Sequence, residues 1–359
     1  MHLTTAAISL SALQQNLKVA GALAPASKNV AVIKANAYGH GLLAVARALE
    51  SSVPALAVAL FDEAVQLRDA GIRVPILVLQ GTTCQGDVAE AVARDFWLML
   101  HNRRQLERVL AANTDQPVTA WLKADTGMHR LGMAPSEVAA AIDALSESGK
   151  VSQPVVLCTH LACADEPDNP MTNAQVAALR SLAKNRKLPM SIANSAGIMY
   201  WPETHAQWNR PGYMLYGNSP SGMVDDGTTG LVPAMTMTSE LISVRQISPG
   251  DSVGYGQRWT AAGPSTVGTI PIGYGDGYPR LAANGTPVLV NGRRVPLAGR
   301  VSMDMITVDL TGFDGVRAGD PVELWGGKLS VNEVATHAGT TGYELLAGLT
   351  GRVPLVYQS

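Results

Sequence analysis

Short apolar runs rich in β-branched residues alternate with segments of helical periodicity over the first two thirds of the chain. Between the runs, apolar positions recur four and three residues apart, as at Val138, Ile142 and Leu145. The runs predict strands at Val30 to Lys34, Leu56 to Leu60, Ile76 to Gln80, Trp97 to Leu100, Val118 to Ala124, Val155 to His160, Ser191 to Ser195 and, more loosely, Trp208 to Tyr216. Successive strand and helix units of this number predict an α/β protein built on a (β/α)8 barrel.

A doubly wound parallel sheet is the other fold that such an alternation can produce. That fold normally carries a glycine fingerprint directly after its first strand. Here the position holds Lys34-Ala-Asn-Ala-Tyr38 instead. The pattern therefore favours the barrel.

The character of the chain changes near residue 230. Beyond it, runs of Val, Thr, Ile and Gly separated by frequent turns predict strands at Glu240 to Gln246, Thr266 to Ile272, Pro287 to Val290 and Met305 to Leu310. We expect a barrel domain over residues 1–230 and a mostly β domain over residues 231–359.

Composition narrows the class of partner. The chain has 27 basic and 29 acidic residues and no block of like charge, so neither nucleic acid nor an anionic membrane is expected as a partner. The N-terminus lacks the features of a secretory signal, and no apolar stretch approaches the ~20 residues that span a bilayer. These features predict a cytoplasmic protein that acts on small molecules.

The three cysteines are Cys84, Cys158 and Cys163, an odd number that fits a reducing compartment. Cys158, His160 and Cys163 together form a conceivable zinc cluster, because sulfur and imidazole suit that metal. Their spacing is unusual and no fourth ligand lies nearby in the sequence. We therefore expect these cysteines to be small core residues and expect no metal.

Candidate chemistry gathers at the predicted strand ends, where barrels carry their catalytic groups. Lys34 follows an apolar run, and partial desolvation there favours a neutral, nucleophilic amine that can form a Schiff base. An ordinary solvated lysine is the alternative interpretation of this position alone. Other polar residues at or beside strand ends are Lys123, Asp125, His160, Asn194, Ser195 and Arg210.

The string Val32-Ile-Lys34-Ala-Asn-Ala-Tyr38-Gly-His-Gly41 closely resembles the pyridoxal phosphate lysine motif of alanine racemases. Further segments that are similar to the family follow in the family's order. They include Trp121 to Gly132, Thr159-His160, Ala193 to Ala196, Asn209 to Gly217, Val253 to Gly256, Ile272 to Arg280, Gly299 to Asp304 and Gly342 to Glu344. The resemblance covers nearly the whole chain.

The resemblance implies a pyridoxal phosphate site in the barrel. Lys34 would hold the cofactor as a Schiff base, and Arg210, supported by a hydrogen bond with His160, would face the pyridine nitrogen. A guanidinium cannot accept a proton there, so the ring nitrogen should stay unprotonated. The remaining cofactor-binding positions implied are Tyr38, Asn194, Ser195, Tyr343 and the main chain at Gly212 and Tyr213, most of them for the phosphate.

The resemblance also gives Arg130 and Lys123 linked roles. Arg130 would approach both the phenolic oxygen of the cofactor and the carboxylate of the substrate, since its planar fork matches an anion. Lys123 matches a position that can be carbamylated in this family, which supplies a carboxylate that orients the arginine. A carbamate or a bound anion is expected here, because an unmodified lysine would repel Arg130.

Racemisation needs a base on each face of the α-carbon. By resemblance, Lys34 acts on the D substrate and Tyr255 on the L substrate, with Tyr255 reaching the site of the other subunit. This implies a head-to-tail homodimer. Met303 would give its backbone N–H to the substrate carboxylate, while Tyr274 and Asp304 would line or order the entrance.

The expected activity is the interconversion of L-alanine and D-alanine, with a racemase of serine or of broader specificity as the alternative. A decarboxylase of basic amino acids is disfavoured because Arg210 stands where that class needs a carboxylate, and a non-catalytic cofactor carrier because of Tyr255. The loop Gly273 to Gly277 lacks the lysine and hydroxyl of a nucleotide-binding loop. A biosynthetic and a catabolic role both stay open.

Overall fold

The computed structural model describes residues 3–183, 186–222 and 229–359, and they form two compact units. The first, called the barrel unit below, comprises Gln14–Ala37 and Leu42–Leu215. The second, called the β unit, comprises the N-terminal residues up to Leu13, the short segment Tyr38–Gly41 and the chain from Tyr216 onward.

Eight parallel strands close a barrel in the first unit, and each is hydrogen-bonded to the next in chain order. The strands are Lys28–Val32, Ala55–Val58, Ile76–Val78, Phe96–Leu100, Ala120–Lys123, Val156–Cys158, Met190–Ser191 and Trp208–Asn209. The last strand pairs with the first, Lys28 opposite Trp208 and Asn29 opposite Asn209. The predicted (β/α)8 barrel is thus confirmed, and each predicted run overlaps one strand.

Helices follow the strands where the apolar periodicity predicts them. Pro135–Glu147 is typical: it buries Val138, Ala141, Ile142 and Leu145, which share one face. The α-helices of the first part of the chain are Leu10–Leu23, Leu42–Leu49, Phe61–Asp69, Asp87–Arg94, Arg103–Leu110, Pro135–Glu147, Met171–Leu182 and Ser195–Tyr200. Short 3-10 turns lie at Glu50–Ser52, Pro202–Thr204 and Tyr213–Tyr216.

A cluster of three tryptophan rings identifies one face of the barrel strands. The rings of Trp97, Trp121 and Trp208 lie 5.5 to 6.3 Å apart between centroids. Alternate residues of a strand point to the same side, so Lys123 shares the face of Trp121 and Arg210 that of Trp208. The packed rings therefore lie on the same side as the polar groups two residues further along each strand.

The β unit contains a six-stranded sheet in the order Arg293–Pro296, Pro287–Val290, Pro321–Trp325, Met235–Glu240, Thr5–Ser9, Leu355–Gln358. Its N-terminal strand corrects the predicted division of the chain. Thr5–Ser9 pairs antiparallel with Met235–Glu240 and parallel with Leu355–Gln358, although residues 1–230 were expected to form the barrel domain. The pairing is long-range, so the local pattern of the N-terminus could not reveal it.

Two smaller sheets complete the β unit. One has three strands, Ser243–Ile247, Ser265–Ile270 and Ile306–Asp309, and the other pairs Ser252–Val253 with Trp259–Thr260. Two helices, Val331–His337 and Gly342–Ala347, and the 3-10 turn Tyr255–Gln257 lie among them.

The predicted strand Glu240 to Gln246 is confirmed only in part, because the chain changes sheet inside it. The strand Met235–Glu240 ends in the large sheet and Ser243–Ile247 begins in the three-stranded one. The main-chain N–H of Leu241 donates to Asp320, whereas that of Ile242 donates to Thr269. Neighbouring residues thus bond to different sheets, and an apolar pair continues the sequence pattern across the break.

Within the ranges that the structure covers, no helix has both the length and the hydropathy needed to cross a membrane.

Candidate active site

Lys34 stands two residues beyond the first barrel strand and is partly buried. Burial lowers the pKa of its amine, and the positive charge of Arg130 lowers it further, while the charge of Glu63 acts in the opposite direction. A lowered pKa increases the fraction of neutral, nucleophilic amine. The environment therefore has the effect on Lys34 that the sequence suggested.

The main chain turns left-handed directly after Lys34. Ala35, Asn36, Ala37 and Tyr38 all have φ between 50° and 54°. A left-handed residue other than glycine costs roughly 1–2 kcal/mol, and such strain persists only where the surroundings hold it. Here the N–H of Ala37 donates to the carbonyl of Ile33 at 2.9 Å, and that of Leu42 to the side chain of Asn36 at 2.8 Å.

Cationic and neutral nitrogen groups surround the barrel site. Lys123 is only 7% exposed, and burial lowers its pKa to about 8, with further lowering by the charges of Arg210 and Arg130. Burial also lowers the pKa of His160 well below its usual value, and Arg210, Lys123, Arg130 and Lys34 all contribute in that direction. These residues from different strands and loops are close enough to share one electrostatic environment.

Arg210 is 6% exposed and follows the last barrel strand. Its guanidinium donates to the hydroxyl of Ser191 and to the main-chain carbonyls of Thr159, at 2.6 Å, and Ile192, at 3.3 Å. The expected hydrogen bond between Arg210 and the His160 ring is not among the bonds of these described residues. The main-chain carbonyl of Thr159, just before His160, accepts from the guanidinium instead.

Ser195 joins two loops that the sequence proposed for anion binding. Its hydroxyl oxygen accepts hydrogen bonds from the main-chain N–H groups of Gly212, at 3.0 Å, and Met214, at 3.2 Å. The hydroxyl retains its own hydrogen as a donor. Asn194 precedes it as the N-cap of the helix Ser195–Tyr200, where its side chain accepts from the N–H of Gly197 at 2.9 Å.

A buried glutamine that the sequence analysis missed ties the loops after the fifth and sixth barrel strands together. The amide of Gln175 donates to the carbonyl of His160 at 3.0 Å and to the hydroxyl of Thr126 at 3.2 Å. Thr126 in turn bonds the hydroxyl of Thr159 at 2.7 Å. The sequence analysis also missed Ser191 and Glu63. For Glu63, its place in the first turn of a predicted barrel helix could have marked it as a residue that binds main-chain N–H groups.

In the β unit, three tyrosine rings lie together. The Tyr38 ring is 4.8 Å from that of Tyr216 and 6.2 Å from that of Tyr343, measured between centroids. Burial raises the pKa of Tyr38 to about 12, so its hydroxyl stays protonated and can donate to an anion. Tyr38 and Tyr343, both predicted phosphate-binding residues, are thus neighbours.

Tyr255 lies at the tip of the hairpin formed by Ser252–Val253 and Trp259–Thr260 and is 73% exposed within the single chain. Gly254 and Gly256 on either side both have positive φ, 73° and 72°. The hairpin therefore presents an aromatic hydroxyl outward, without close packing from the described residues of its own chain.

Tyr274, Met303 and Asp304 meet in the β unit through paired main chains. The N–H of Tyr274 donates to the carbonyl of Ser302 at 3.0 Å, and that of Gly275 to the carbonyl of Met303 at 2.9 Å. Asp304 is bound by Arg352 at 2.8 Å, and the same guanidinium lies 3.0 Å from the carboxylate of Asp276. Hydrogen bonds and ion pairs thus join the segments that carry the predicted entrance residues.

Cys158, His160 and Cys163, which the sequence analysis named as a conceivable zinc cluster and disfavoured, are not brought together with a further ligand among the described residues. Among residues 3–183, 186–222 and 229–359, no group of three or more His, Cys, Asp or Glu side chains could hold a metal ion. Cys158 is fully buried, and burial raises the pKa of its thiol. It is a small core residue.

Comparison with known proteins covers the whole chain. The family model for the alanine racemase N-terminal domain matches residues 8–220, and that for the alanine racemase C-terminal domain matches residues 234–357. An alanine racemase of Aliivibrio salmonicida is 47% identical over 357 residues, which cover 99% of this chain and 99% of that protein.

Solved structures agree. The biosynthetic alanine racemase from Pseudomonas aeruginosa has a TM-score of 0.97 and 44% sequence identity, with 100% of both chains covered. The alanine racemase from Bartonella henselae, solved with covalently bound pyridoxal phosphate, has a TM-score of 0.90 and 30% identity, again with 100% of both chains covered.

Proposed function

Because the chain belongs to the alanine racemase family over nearly its whole length, we propose that it interconverts L-alanine and D-alanine with pyridoxal phosphate as cofactor. The observation that carries this proposal in the chain itself is Lys34. Its amine lies at the end of the first barrel strand, with its pKa lowered by burial and by Arg130. That is the state required of a lysine that bonds a carbonyl group.

The residues of the barrel unit fit the cofactor. An aldehyde needs a neutral amine, and the lowered pKa of Lys34 favours that form. A phosphate can be bound by uncharged donors, here the Ser195 hydroxyl and the main chain at Gly212 and Tyr213, although the Gly212 N–H donates to the Ser195 oxygen and would have to turn to the phosphate. In the β unit, the protonated hydroxyl of Tyr38 and that of Tyr343 would add to them. Asn194 would hold the Ser195 helix in place through its N-cap bond. When bound, pyridoxal phosphate withdraws electrons from the α-carbon of an amino acid and so makes its proton easier to remove.

Arg210 would face the pyridine nitrogen. Three acceptors on the protein fix its guanidinium, which keeps its charge and has no lone pair to offer a protonated ring. A neutral His160 beside it adds no competing charge. The pair would therefore keep the ring nitrogen unprotonated and moderate the electron withdrawal, which disfavours side reactions such as transamination.

Lys123 would be carbamylated and orient Arg130. Carbon dioxide reacts with a neutral amine, and a pKa of about 8 leaves Lys123 with an appreciable neutral fraction near neutral pH. The resulting carboxylate would be buried among the charges of Arg130 and Arg210, where an anion is stabilised. Arg130 would then be held to meet the substrate carboxylate.

Two bases would serve the two faces of the α-carbon. Lys34 would remove the proton from the D enantiomer and Tyr255, from the other subunit, the proton from the L enantiomer. The outward position of Tyr255 on its hairpin supports this arrangement, since the hydroxyl is available to a second chain. A head-to-tail homodimer would then supply the N–H of Met303 to the substrate, with Tyr274 and Asp304 at the entrance.

The names of the relatives give no support to a serine or broader racemase. Wild-type protein incubated with pyridoxal phosphate should show the visible absorption of the bound cofactor and convert either enantiomer of alanine to the racemate. Lys34→Ala should lose that absorption. A substrate panel of alanine, serine and lysine enantiomers tests specificity, and colourless protein that stays inactive with added cofactor would overturn the proposal.

A further inference from the structure

Glu63 connects the ends of the first and second barrel strands. It lies in the first turn of the helix Phe61–Asp69, where one carboxylate oxygen accepts from the N–H groups of Ala59, at 2.9 Å, and Leu60, at 3.1 Å. The other oxygen accepts from the N–H of Ala35 at 2.7 Å. The shortest of these bonds therefore leaves the helix and reaches the residue that follows Lys34.

The bond to Ala35 falls where the left-handed turn begins. Ala35 has φ of 54° and is exposed, so little packing holds it in this strained conformation. On the other side of Lys34, the N–H of Ile33 donates to the carbonyl of Ala57 at 2.8 Å. Both neighbours of Lys34 are thus held: Ile33 by the second strand, and Ala35, on the strained side, by Glu63 from the helix that follows that strand.

Glu63 also contributes a charge. Burial and Arg130 lower the pKa of Lys34, and the negative charge of Glu63 opposes them. Hydrogen bonds to a charged acceptor are roughly twice as strong as neutral ones. One carboxylate therefore affects both the direction and the protonation of the Lys34 amine.

We propose that Glu63 is a positioning residue for Lys34: it fixes the main chain at Ala35 and so sets where the Lys34 amine points. The proposal rests on the proposed function, since it takes Lys34 to be the reacting group. Neither the family resemblance as drawn above nor the strand-end pattern assigns Glu63 a role.

The central variant is Glu63→Gln, which keeps the size of the side chain but removes its charge. An amide has one accepting oxygen, so it cannot serve Ala35 and the two helix N–H groups together. In the cofactor-free protein, amide hydrogen exchange of the peptide containing Ala35 should become faster. The pKa of Lys34, obtained from the pH dependence of its labelling by an amine reagent and read by mass spectrometry, should fall.

Two further variants separate charge from geometry. Glu137→Gln is the matched control, because Glu137 has the same place in the helix Pro135–Glu147 and accepts from the N–H of Ala134 at 3.3 Å. It should change neither measurement. Glu63→Asp keeps the charge but is one methylene shorter, so exchange at Ala35 should quicken while the pKa of Lys34 stays nearer that of the wild type. It also provides the test if Glu63→Gln does not fold.

In the loaded enzyme, Glu63→Gln should lower kcat for alanine by roughly tenfold to a hundredfold, as misplacement of a reacting group does. Unchanged exchange at Ala35 and an unchanged Lys34 pKa in a folded Glu63 variant would overturn the proposal. Equal changes in Glu137→Gln would also overturn it. If the wild-type protein does not racemise alanine but the Glu63 variants show these changes in exchange and Lys34 pKa, the proposed function is contradicted and the positioning by Glu63 stands.

Discussion

The guanidinium of Arg210 donates a 2.6 Å hydrogen bond to the main-chain carbonyl of Thr159, the residue before His160. This carbonyl cannot titrate, whereas a histidine partner could. The 2.6 Å bond of Arg210 therefore does not depend on the charge of a histidine. Ser191 and the carbonyl of Ile192 complete its set of acceptors.

Arg210→Lys should impair the enzyme although it preserves the charge. A lysine ammonium lacks the planar fork, so it cannot reach both carbonyls and the Ser191 hydroxyl from one position. We expect kcat to fall on the order of tenfold to a hundredfold and the visible absorption of the bound cofactor to shift. Steady-state kinetics and absorption spectra check this, with Arg186→Lys on the exposed Asp143 pair as control. Activity equal to that of the control would contradict the role of Arg210.

Lys123 should make the protein more stable as the pH rises. Its pKa is 10.5 when unperturbed and about 8 in the folded chain, so between these values the unfolded state binds more protons. Stability is therefore reduced below pH 8 and is regained up to about pH 10.5, by at most about 3 kcal/mol. Lys123→Met lacks this contribution.

Urea unfolding in bicarbonate-free buffer at several pH values measures the effect. The free energy of unfolding of the wild type should rise relative to Lys123→Met between pH 8 and pH 10, whereas Lys18→Met, at an exposed position, should track the wild type. A constant difference between wild type and Lys123→Met would show that Lys123 is not perturbed. Added 13C-labelled bicarbonate near pH 8 should label Lys123 as its carbamate.

Gly273→Ala should disrupt the assembly that carries Tyr274 and Met303. A Cβ at Gly273 would overlap the main-chain carbonyls of Ser302 and Met303, which cannot move aside as a side chain could. We expect a loss of about 1–3 kcal/mol in the free energy of unfolding and a raised KM for alanine. At Gly263 an added Cβ meets nothing within 4 Å, so Gly263→Ala is the control. Equal stability of the two variants would refute this packing.

The sequence predicted the barrel well because each strand and helix is a local pattern with a repeat of its own. It singled out Lys34, Lys123 and Arg210 as candidates because strand ends are the places where a barrel exposes polar groups. Long-range pairings were beyond its reach, as Thr5–Ser9 in the β unit shows. The sequence also could not predict that the carbonyl of Thr159 accepts from Arg210, because a main-chain carbonyl carries no sequence signature.

Mixing two inactive variants should restore activity if the site is shared between subunits. Lys34→Ala lacks one base and Tyr255→Phe the other, and each should be nearly inactive alone. In a head-to-tail dimer of one chain of each, one site carries both changes and the other carries neither. Random exchange of subunits, by brief mild denaturation and refolding together, should therefore recover about one quarter of wild-type activity. Lys34→Ala mixed with itself is the control.

Tyr255→Phe alone should still exchange the α-proton of D-alanine in heavy water but not that of L-alanine. No recovery on mixing, in samples shown by sedimentation to be dimers, would place Tyr255 in the site of its own chain.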